Sequence, residues 1–556
     1  MKNTFHGKEC ARLFAVCAVS ILFVVPAAVV AQSSAAAGSD DLVLRAMSAE
    51  MERSKTSLKL DKEKAPYFIE YAITDQDNYV AEATFGALRV DQRVHNRIVR
   101  VLVRVGDYKQ DNVMGQNESV VELAALDDDL LALRQQIWLT TDTAYKRALQ
   151  QLTDKQARLK QFESDQQADD FAHAPEYHHI DAPVKITVDM EQWKHNVEAA
   201  SALYRSDPKL QAFACTFQAT AINRYFMNSE GSWTRSGKSM YTYNISGSTQ
   251  AADGMRLDRS QGHAVAAAAE LPTADNLKAE AKAVMDTLAA LREAPIVEEQ
   301  YRGPVLFSAD AASDVFSGLI ADNILGKRPN PGQTSRTTGA FANDFKSRVL
   351  PEFVSVVDDP TRETAAGRAL AGSYLVDDEA VKATPVTVVD KGILVNYLTS
   401  RQPVRDFPQS NGHGRATSFS SAQPGVGNLF VTSSEPLSKE KLQQKFLETC
   451  KNHDLKYCYR VETMANRLTP RLLYRVFVAD GHEELVRGAK FDQLDTRAMR
   501  SDLAALGDDA QAFNQPGQYS STIIVPSLFF GELEVMRANS GKEKLPQYPA
   551  PELVGK

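Results

Sequence analysis

The sequence predicts an α+β protein with two domains, a mixed α/β N-terminal domain and a C-terminal domain rich in antiparallel sheet. Apolar and polar residues alternate with a period of two over 67–73, 79–90 and 97–105, which predicts antiparallel strands. Helical periodicity recurs in separate blocks, of which 41–58 and 274–294 are the clearest. With 556 residues, 43% of them hydrophobic and 24% charged, the chain is long enough for more than one core.

The boundary between the two domains is predicted near Pro295, where an Ala-rich amphipathic helix ends. We therefore expect an N-terminal domain over 32–295 and a C-terminal domain over 296–556. Inside the first domain, residues 165–186 are mostly polar and acidic and contain several histidines and prolines. This composition is typical of a surface linker or flap.

Residues 1–31 have the pattern of a signal peptide. Basic residues near the start precede an apolar run over 13–30, which ends in the small-residue tripeptide Val29-Val30-Ala31. We predict cleavage before Gln32 and an exported protein, periplasmic or secreted. An uncleaved N-terminal anchor is the alternative, because the run is close to the lower limit for a spanning helix. No second apolar run of that length follows, so we expect no membrane contact after cleavage.

The charge balance bears on possible partners. The formal net charge is −8, from 63 Lys and Arg residues against 71 Asp and Glu residues. A surface that binds nucleic acid is normally basic. We therefore predict that nucleic acid is not a partner of this chain.

The cysteines bear on the redox compartment. Cys450 and Cys458 are near enough in sequence to pair as a disulfide in an oxidising compartment. Two reduced thiols are the alternative, because the spacing does not decide the pairing. Cys215 lies in the apolar run 213–217 and is predicted to be a buried core thiol.

The stretch 372–431 contains the candidate binding residues, which flank a predicted β-hairpin. The β-rich segments 385–389 and 393–398 surround the turn dipeptide Lys391-Gly392. An acidic triplet precedes the hairpin and a Gly-rich loop with one cation follows it. The six candidates are Asp377, Asp378, Glu379, Gly412, Gly414 and Arg415.

Each of the two groups admits a functional and a structural interpretation. Closely spaced glycines let the chain pass near a ligand, and the guanidinium of Arg415 offers paired donors for a carboxylate at the end of a peptide. A tight structural loop is the alternative. The acidic triplet can supply acid and base groups, or it can serve as turn and cap residues before the hairpin.

The order of these segments resembles the C-terminal domain of the TldD/PmbA proteins, also called modulators of DNA gyrase or U62 peptidases. The segments 303–307, 357–359 and 485–533 fall in the order and spacing of the same family. The resemblance implies a homodimer, or a heterodimer with a TldD-like subunit, that encloses a peptide-sized cleft. It also implies a peptide or small protein as substrate.

The same resemblance implies a zinc site in active relatives and its loss here. In active TldD proteins the helix that corresponds to 309–322 carries a His-Glu-x-x-x-His motif, and a Cys near the C-terminus completes the ligand set. Here 309–322 contains no His and no Glu, and the comparable stretch 513–518 contains no Cys. The chain is therefore more similar to PmbA (TldE), the metal-free partner, which implies no cofactor and a pseudoenzyme that binds peptides or serves as a partner subunit.

Two other interpretations stay open. An active peptidase could use residues outside the family pattern, with a metal held by His173, Glu176 and His178, although the adjacent His178 and His179 point apart on a strand. Alternatively, the chain is a structural or interaction protein that keeps only the fold. No Gly-x-Ser-x-Gly motif is present in the sequence, so nucleophilic hydrolysis has no support.

Overall fold

A computed structural model describes residues 41–115, 118–161, 168–517, 519–539, 541, 543–548 and 551. The predicted signal peptide lies outside the described residues. The helices are α1 Leu42–Ser57, α2 Leu130–Leu159, α3 Met190–Ser201, α4 Ala274–Glu293, α5 Ala309–Phe316, α6 Lys439–Asn452 and α7 Thr496–Ser501. In the described part of the chain, no helix combines the length and the hydrophobicity that a membrane crossing requires.

The first sheet belongs to the N-terminal half and has seven strands. They are β1 Pro66–Thr84, β2 Ala87–Val105, β3 Val120–Ala124, β4 His178–Ile180, β5 Ala212–Asn228, β6 Trp233–Gln250 and β7 Arg256–Val265. The order is β3-β2-β1-β5-β6-β4, with β7 also paired to β6. All pairs are antiparallel except β4 with β6.

One face of this sheet carries two separate cores. Ile69 and Tyr71 of β1 pack against α1 and α2, whereas Tyr79 and Ala81 pack against α3 and α4. These residues share a face because side chains alternate along a strand. Burial of each large apolar side chain contributes about 1.5–3 kcal/mol, so both helix pairs are held on that face. The opposite face is left to polar side chains.

The C-terminal half contains two further large sheets. Their strands are β8 Tyr301–Phe307, β9 Val354–Asp358, β12 Val386–Asp390, β13 Ile393–Leu394, β16 Asn428–Ser433, β17 Tyr457–Asn466, β18 Thr469–Phe477, β19 Glu483–Val486, β20 Ala489–Asp492, β21 Leu503–Leu506, β22 Gln511–Gln515, β23 Ser521–Val525 and β24 Leu528–Arg537. The orders are β13-β12-β9-β16-β23-β22 and β19-β18-β17-β8-β24-β20, with β21 on β24. Two small ribbons are added, β10 Thr364–Ala365 with β11 Arg368–Ala369, and β14 Gly414–Arg415 with β15 Gln423–Pro424.

A single buried cluster joins both C-terminal sheets to α5. Val315 and Phe316 of α5 are fully buried in it, together with Val356 of β9 and Phe307 of β8. The α5 helix continues into a π-helical turn, Ser317–Ala321. The cluster fixes the position of α5, whose other side faces the first sheet.

Several predictions are confirmed. The fold is α+β with two domains and mostly antiparallel sheets. The hairpin pairs Val389 with Leu394, and its turn residues Lys391 and Gly392 have φ values of 45° and 78°, as a two-residue type I′ turn requires. The sequence left open whether Cys450 and Cys458 pair, and in the structure they form a disulfide with their Cα atoms 6.1 Å apart.

The segment 165–186, predicted to be a surface linker or flap, has a short buried part. Phe171 and Ala172 are buried, and the Ala172 N–H donates to the carbonyl of Arg401 at 2.9 Å. The Phe171 ring lies 3.9 Å from the guanidinium carbon of Arg104 and 4.1 Å from that of Arg401. Two cation–π contacts and burial hold residues 170–172 in the interior, whereas residues 173–186 are exposed or half-buried.

Candidate functional site

A cleft of about 1030 Å³ lies between the two halves of the chain. One wall is the polar face of the first sheet, and the other consists of α5, β22 and the loop 417–420. The residues of the sheet wall include Gln76, Gln218, Thr220, Arg224, Thr242, Asn244 and His263. Those of the facing wall include Asp310, Ser313, Asp314, Arg368, Phe419, Phe513, Asn514 and Gln515.

The sheet wall offers fixed hydrogen-bonding groups. The amide oxygen of Asn78 accepts from Gln218 at 2.8 Å and from Thr220 at 2.7 Å, so these side chains hold one another in place. His263 also lines the cleft, and burial together with the neighbouring Arg368 lowers its pKa. The neutral imidazole has one donor and one acceptor nitrogen for a bound ligand.

The α5 wall carries two carboxylates one helical turn apart. Ser308 caps α5 by accepting the N–H of Ala311 at 3.2 Å, and Asp310 and Asp314 then lie on the same helix face. Neither carboxylate has a hydrogen bond or an ion pair within the described residues. Burial raises the pKa of both, that of Asp314 to about 6, with Asp310 as a second cause. The pair can therefore hold a proton near neutral pH and can bind a donor or an ammonium group.

A short loop places an aromatic side chain at the edge of the cleft. The Thr417 hydroxyl accepts the N–H groups of Phe419 at 3.1 Å and Ser420 at 3.0 Å. This turn leaves Phe419 66% exposed. An apolar side chain held open to the cleft can pack against an apolar group of a ligand.

The side chains that line the cleft can be compared with the ligands that the zinc of active relatives requires. Zinc is bound by imidazole, thiolate and carboxylate groups, three or four at a time. Here α5 presents two carboxylates and a serine hydroxyl, and β22 presents Phe513, Asn514 and Gln515. Across the described ranges, no group of three or more His, Cys, Asp or Glu side chains could hold a metal ion. The residues at this position do not fit zinc.

The fold brings the predicted binding residues together. The acidic triplet 377–379 lies against the loop that contains Gly414 and Arg415. Asp377 accepts the N–H of Gly414 at 2.8 Å, and the Asp378 N–H donates to the Gly414 carbonyl at 2.9 Å. Glu379 accepts the N–H of Arg401 at 2.7 Å. Burial raises the pKa of Asp377 and of Glu379, and each is close enough to affect the other.

The two glycines are required by close approaches. Gly412 has a φ of 80°, and a Cβ atom there would lie 2.4 Å from the carbonyl oxygen of Lys382. At Gly414 a Cβ atom would lie 2.4 Å from a carboxylate oxygen of Glu379. Gly414 therefore allows the packing of the acidic triplet, Gly412 allows the approach to the backbone of Lys382, and neither glycine lines the cleft.

Arg415 and Asp378 line a second, smaller cavity of about 190 Å³, which we call the side pocket. Asp378 accepts from Nε of Arg415 and from Nη1 of Arg224, both at 3.2 Å. Burial raises the pKa of Asp378, but the two guanidinium groups outweigh it and bring the pKa to about 2. The side pocket adjoins the cleft, because Arg224 and Ser520 line both.

The alternative metal ligands do not converge. The ring of His173 stacks on Tyr108 with centroids 3.5 Å apart. His178 contacts Glu176 at 2.9 Å and stacks on Trp233. Glu176 and His178 are thus in contact with each other, whereas His173 has other partners, and the three do not form a metal-binding group in the described chain.

The sequence interpretation missed Asp310, Asp314 and Lys238. The spacing of the two aspartates by four residues on a predicted helix was the available signal, since it places them on one face. Nothing in the sequence around Lys238 indicates a cavity. The side pocket forms only where β6 meets the loop around Tyr374.

The comparisons with known proteins address this domain directly. Residues 299–537 match the family model of the PmbA/TldA metallopeptidase C-terminal domain. Metalloprotease MJ0996 of Methanocaldococcus jannaschii is 29% identical over 116 residues, which are 21% of this chain and 25% of that protein. The alignment thus spans a quarter of the length of this curated relative.

Solved structures share the fold of nearly the whole chain. TldE from Thermococcus kodakarensis has a TM-score of 0.58 at 10% identity and covers 88% of this chain and 100% of its own. A protein from Bacteroides thetaiotaomicron, described as a modulator of DNA gyrase, has a TM-score of 0.58 at 11% identity, with coverages of 89% and 98%. A similarly described protein from Thermotoga maritima has 0.56 at 14%, with coverages of 84% and 96%.

The matched domain and the fold define a metallopeptidase-like fold. Residues 299–537 are similar to the C-terminal domain of the PmbA/TldA family, and this match confirms the resemblance to TldD/PmbA proteins that the order of the C-terminal motifs predicted.

Proposed function

We propose that this protein is an exported, metal-free TldD/PmbA family member of the PmbA (TldE) type that binds peptides in the cleft between its halves. One observation carries the proposal. The helix and the strand that hold zinc ligands in active relatives both line the cleft, and here they present Asp310, Asp314 and Asn514 in place of imidazole and thiolate.

The size and chemistry of the cleft support a peptide as ligand. Its volume of about 1030 Å³ exceeds the needs of a metal ion or a small metabolite and lies at the upper end of ligand pockets. Gln218, Thr220 and His263 offer donors and acceptors for a peptide backbone, and Phe419 offers an apolar contact. A structural protein that keeps only the fold has no need for an open cleft of this volume. The cleft therefore argues against that interpretation.

Export is proposed from two features. The N-terminal segment has the signal-peptide pattern, and the Cys450–Cys458 disulfide suits an oxidising compartment. Mass spectrometry of the intact protein from culture fractions tests this proposal. We expect a mature chain that begins at Gln32 in the periplasm or medium. An unprocessed chain in the cytoplasm would contradict export.

The metal-free character is tested by elemental analysis of the purified mature protein, with peptide hydrolysis assayed before and after chelation. We expect a molar ratio of zinc to protein far below one, and no peptide cleavage that a chelator abolishes. Stoichiometric zinc with cleavage that a chelator abolishes would contradict the proposal.

A second candidate function rests on the carboxylate pair. Asp310 and Asp314 line the cleft with raised pKa values, and such a pair can act as acid and base in metal-independent hydrolysis. This function predicts cleavage that resists chelation and falls at least about 100-fold in Asp314→Asn. Cleavage that survives this substitution would exclude it.

A partner role is compatible with peptide binding. The family resemblance suggests a homodimer, or a heterodimer with a TldD-like subunit whose active site this chain completes. Co-expression with an exported relative that carries His-Glu-x-x-x-His tests the heterodimer. Co-purification at a fixed ratio is expected, and separate elution on a sizing column would contradict the heterodimer.

A further inference from the structure

The side pocket beside the cleft contains more positive than negative charge in its interior. Arg224, Lys238 and Arg415 line it, and Asp378 is the one carboxylate in ion-pair contact with any of the three in the described chain. The acidic residues Asp181 and Glu363 also line it, but Asp181 is paired with His179 and Glu363 is exposed to water. Charges that are removed from water are normally paired, so this excess of positive charge favours an anion.

Lys238 is the least satisfied of the three cations. Its ammonium donates to the carbonyl of Ala371 at 3.0 Å, and no carboxylate lies within 4.0 Å of it in the described residues. Burial and the nearby Arg415 lower its pKa to about 7. Two of its three donor positions are therefore left for a ligand.

Both arginines also have guanidinium nitrogens that are not used in hydrogen bonds. In the described chain, the side-chain hydrogen bonds of Arg224 are all donated by Nη1, to Asp378 and to the Ala416 carbonyl. Arg415 is 95% buried between Tyr374 and Tyr519, and its Nη1 has no hydrogen-bond partner. An unpartnered guanidinium nitrogen at a buried position costs free energy that an anionic acceptor recovers.

The position of the pocket indicates where the anion comes from. Ile222, Arg224 and Ser520 line both the cleft and the side pocket, so a chain lying in the cleft can extend into it. The volume of about 190 Å³ accommodates a terminal carboxylate with part of one residue, but not several residues.

We propose that the side pocket binds the C-terminal carboxylate of a peptide lying in the cleft, held by Arg224, Lys238 and Arg415. This inference rests on the proposed peptide-binding function and adds the end of the peptide that is recognised. It makes the protein selective for peptides with a free C-terminus over internal segments of longer chains.

The test uses a mixture of tripeptides randomised at every position, half as free acids and half as C-terminal amides. The purified mature protein is incubated with the mixture, and the peptides retained on a size-cutoff filter are quantified by mass spectrometry. We expect the free acids to be retained about tenfold over the amides, which is the selectivity that one charge-assisted hydrogen bond provides. Inorganic phosphate is expected to compete with the acids only.

Variants separate the pocket from general charge effects. Lys238→Met should reduce the acid preference to about twofold or less, because it removes one charge-assisted contact. Lys282→Met, which removes an exposed lysine of α4, serves as the matched control and should keep the full preference.

The outcomes distinguish this inference from the function on which it rests. Equal retention of acids and amides would overturn the carboxylate site while peptide binding stands. A preference that Lys238→Met leaves intact would also overturn it. Retention of neither form would contradict the proposed peptide-binding function itself.

Discussion

At the scale of single residues, the acidic triplet has three different environments. Asp378 is held ionised by two guanidinium groups, whereas Asp377 and Glu379 are buried with raised pKa values. Sequence alone cannot distinguish the three, because neighbours distant in the chain set their environments. Arg224 and Arg401 belong to different halves of the protein.

Glu379 makes stability depend on pH. Its pKa is raised by burial and by Asp377, so its contribution to stability is complete below the ordinary carboxyl range and is lost as the pH rises through the raised value. We predict that the free energy of unfolding falls between about pH 4.5 and pH 8, from the ordinary to the raised pKa of Glu379. Glu379→Gln, which still accepts the Arg401 N–H, should flatten this fall in urea titrations. An equally steep fall in the variant would contradict the assignment.

Gly412 tests the close approach in the loop. Gly412→Ala should destabilise the protein by about 1–3 kcal/mol, because the Cβ atom would meet the Lys382 carbonyl at a left-handed φ. Gly481→Ala is the matched control, since Gly481 has a similar φ of 74° with no atom within 4 Å of its Cβ position. If urea titration gives the same loss of unfolding free energy for both variants, the positive φ alone accounts for it and the contact with Lys382 does not contribute.

Lys238 predicts a pH dependence of peptide binding. Its pKa of about 7 means that the ammonium form, which binds an anion, increases as the pH falls from 8 to 6. Retention of peptide acids should rise over this range and should lose the dependence in Lys238→Met. The other charged or titratable groups around it are Arg224, Arg415, Asp378, Asp181, Glu363, His179 and Tyr374.

A control is needed for His179, because an imidazole can also change its charge in this pH range. His179 also lines the side pocket, paired with Asp181 at 2.8 Å. His179→Gln should keep the pH dependence of peptide retention. If this substitution removes the dependence and Lys238→Met does not, the role assigned to Lys238 is wrong.

At the scale of elements, short-range features were predictable and the cleft was not. The dipeptide Lys391-Gly392 predicted its hairpin because both residues adopt positive φ in a two-residue turn. The helix expected over 309–322 begins at Ala309 but changes to a π-helical turn after Phe316. The cleft joins β5 and β6 to α5 and β22, and no local pattern encodes that juxtaposition.

The Cys450–Cys458 disulfide is predicted to stabilise the C-terminal domain. It connects the last turn of α6 to the second residue of β17 inside the C-terminal core. Replacing both Cys450 and Cys458 with alanine should lower the free energy of unfolding by about 2 kcal/mol or more, through the lost cross-link and the cavities. Urea unfolding with and without a reductant measures this effect. A reductant that leaves the wild-type midpoint unchanged would contradict the presence of the bond.

At the scale of the whole molecule, buried ion pairs connect the two halves. Arg224 with Asp378 and Arg401 with Glu230 bridge the first sheet and the C-terminal loops, and Phe171 packs between Arg401 and Arg104. The sequence predicted two domains, and the family resemblance implied a peptide-sized cleft enclosed by a dimer. Neither predicted a cleft within one chain or the side chains that line it.

The measurement that tests the central claim most directly is peptide retention in the presence of EDTA, by the wild type and by a variant with a filled cleft. Asn244→Trp is suitable because Asn244 is exposed and lines the sheet wall, and Lys282→Trp on α4 is its control. We predict that the wild type and Lys282→Trp retain tripeptides in EDTA, whereas Asn244→Trp loses at least about 90% of the retention. Retention that EDTA abolishes, or that Asn244→Trp leaves unchanged, would contradict a metal-free peptide-binding cleft.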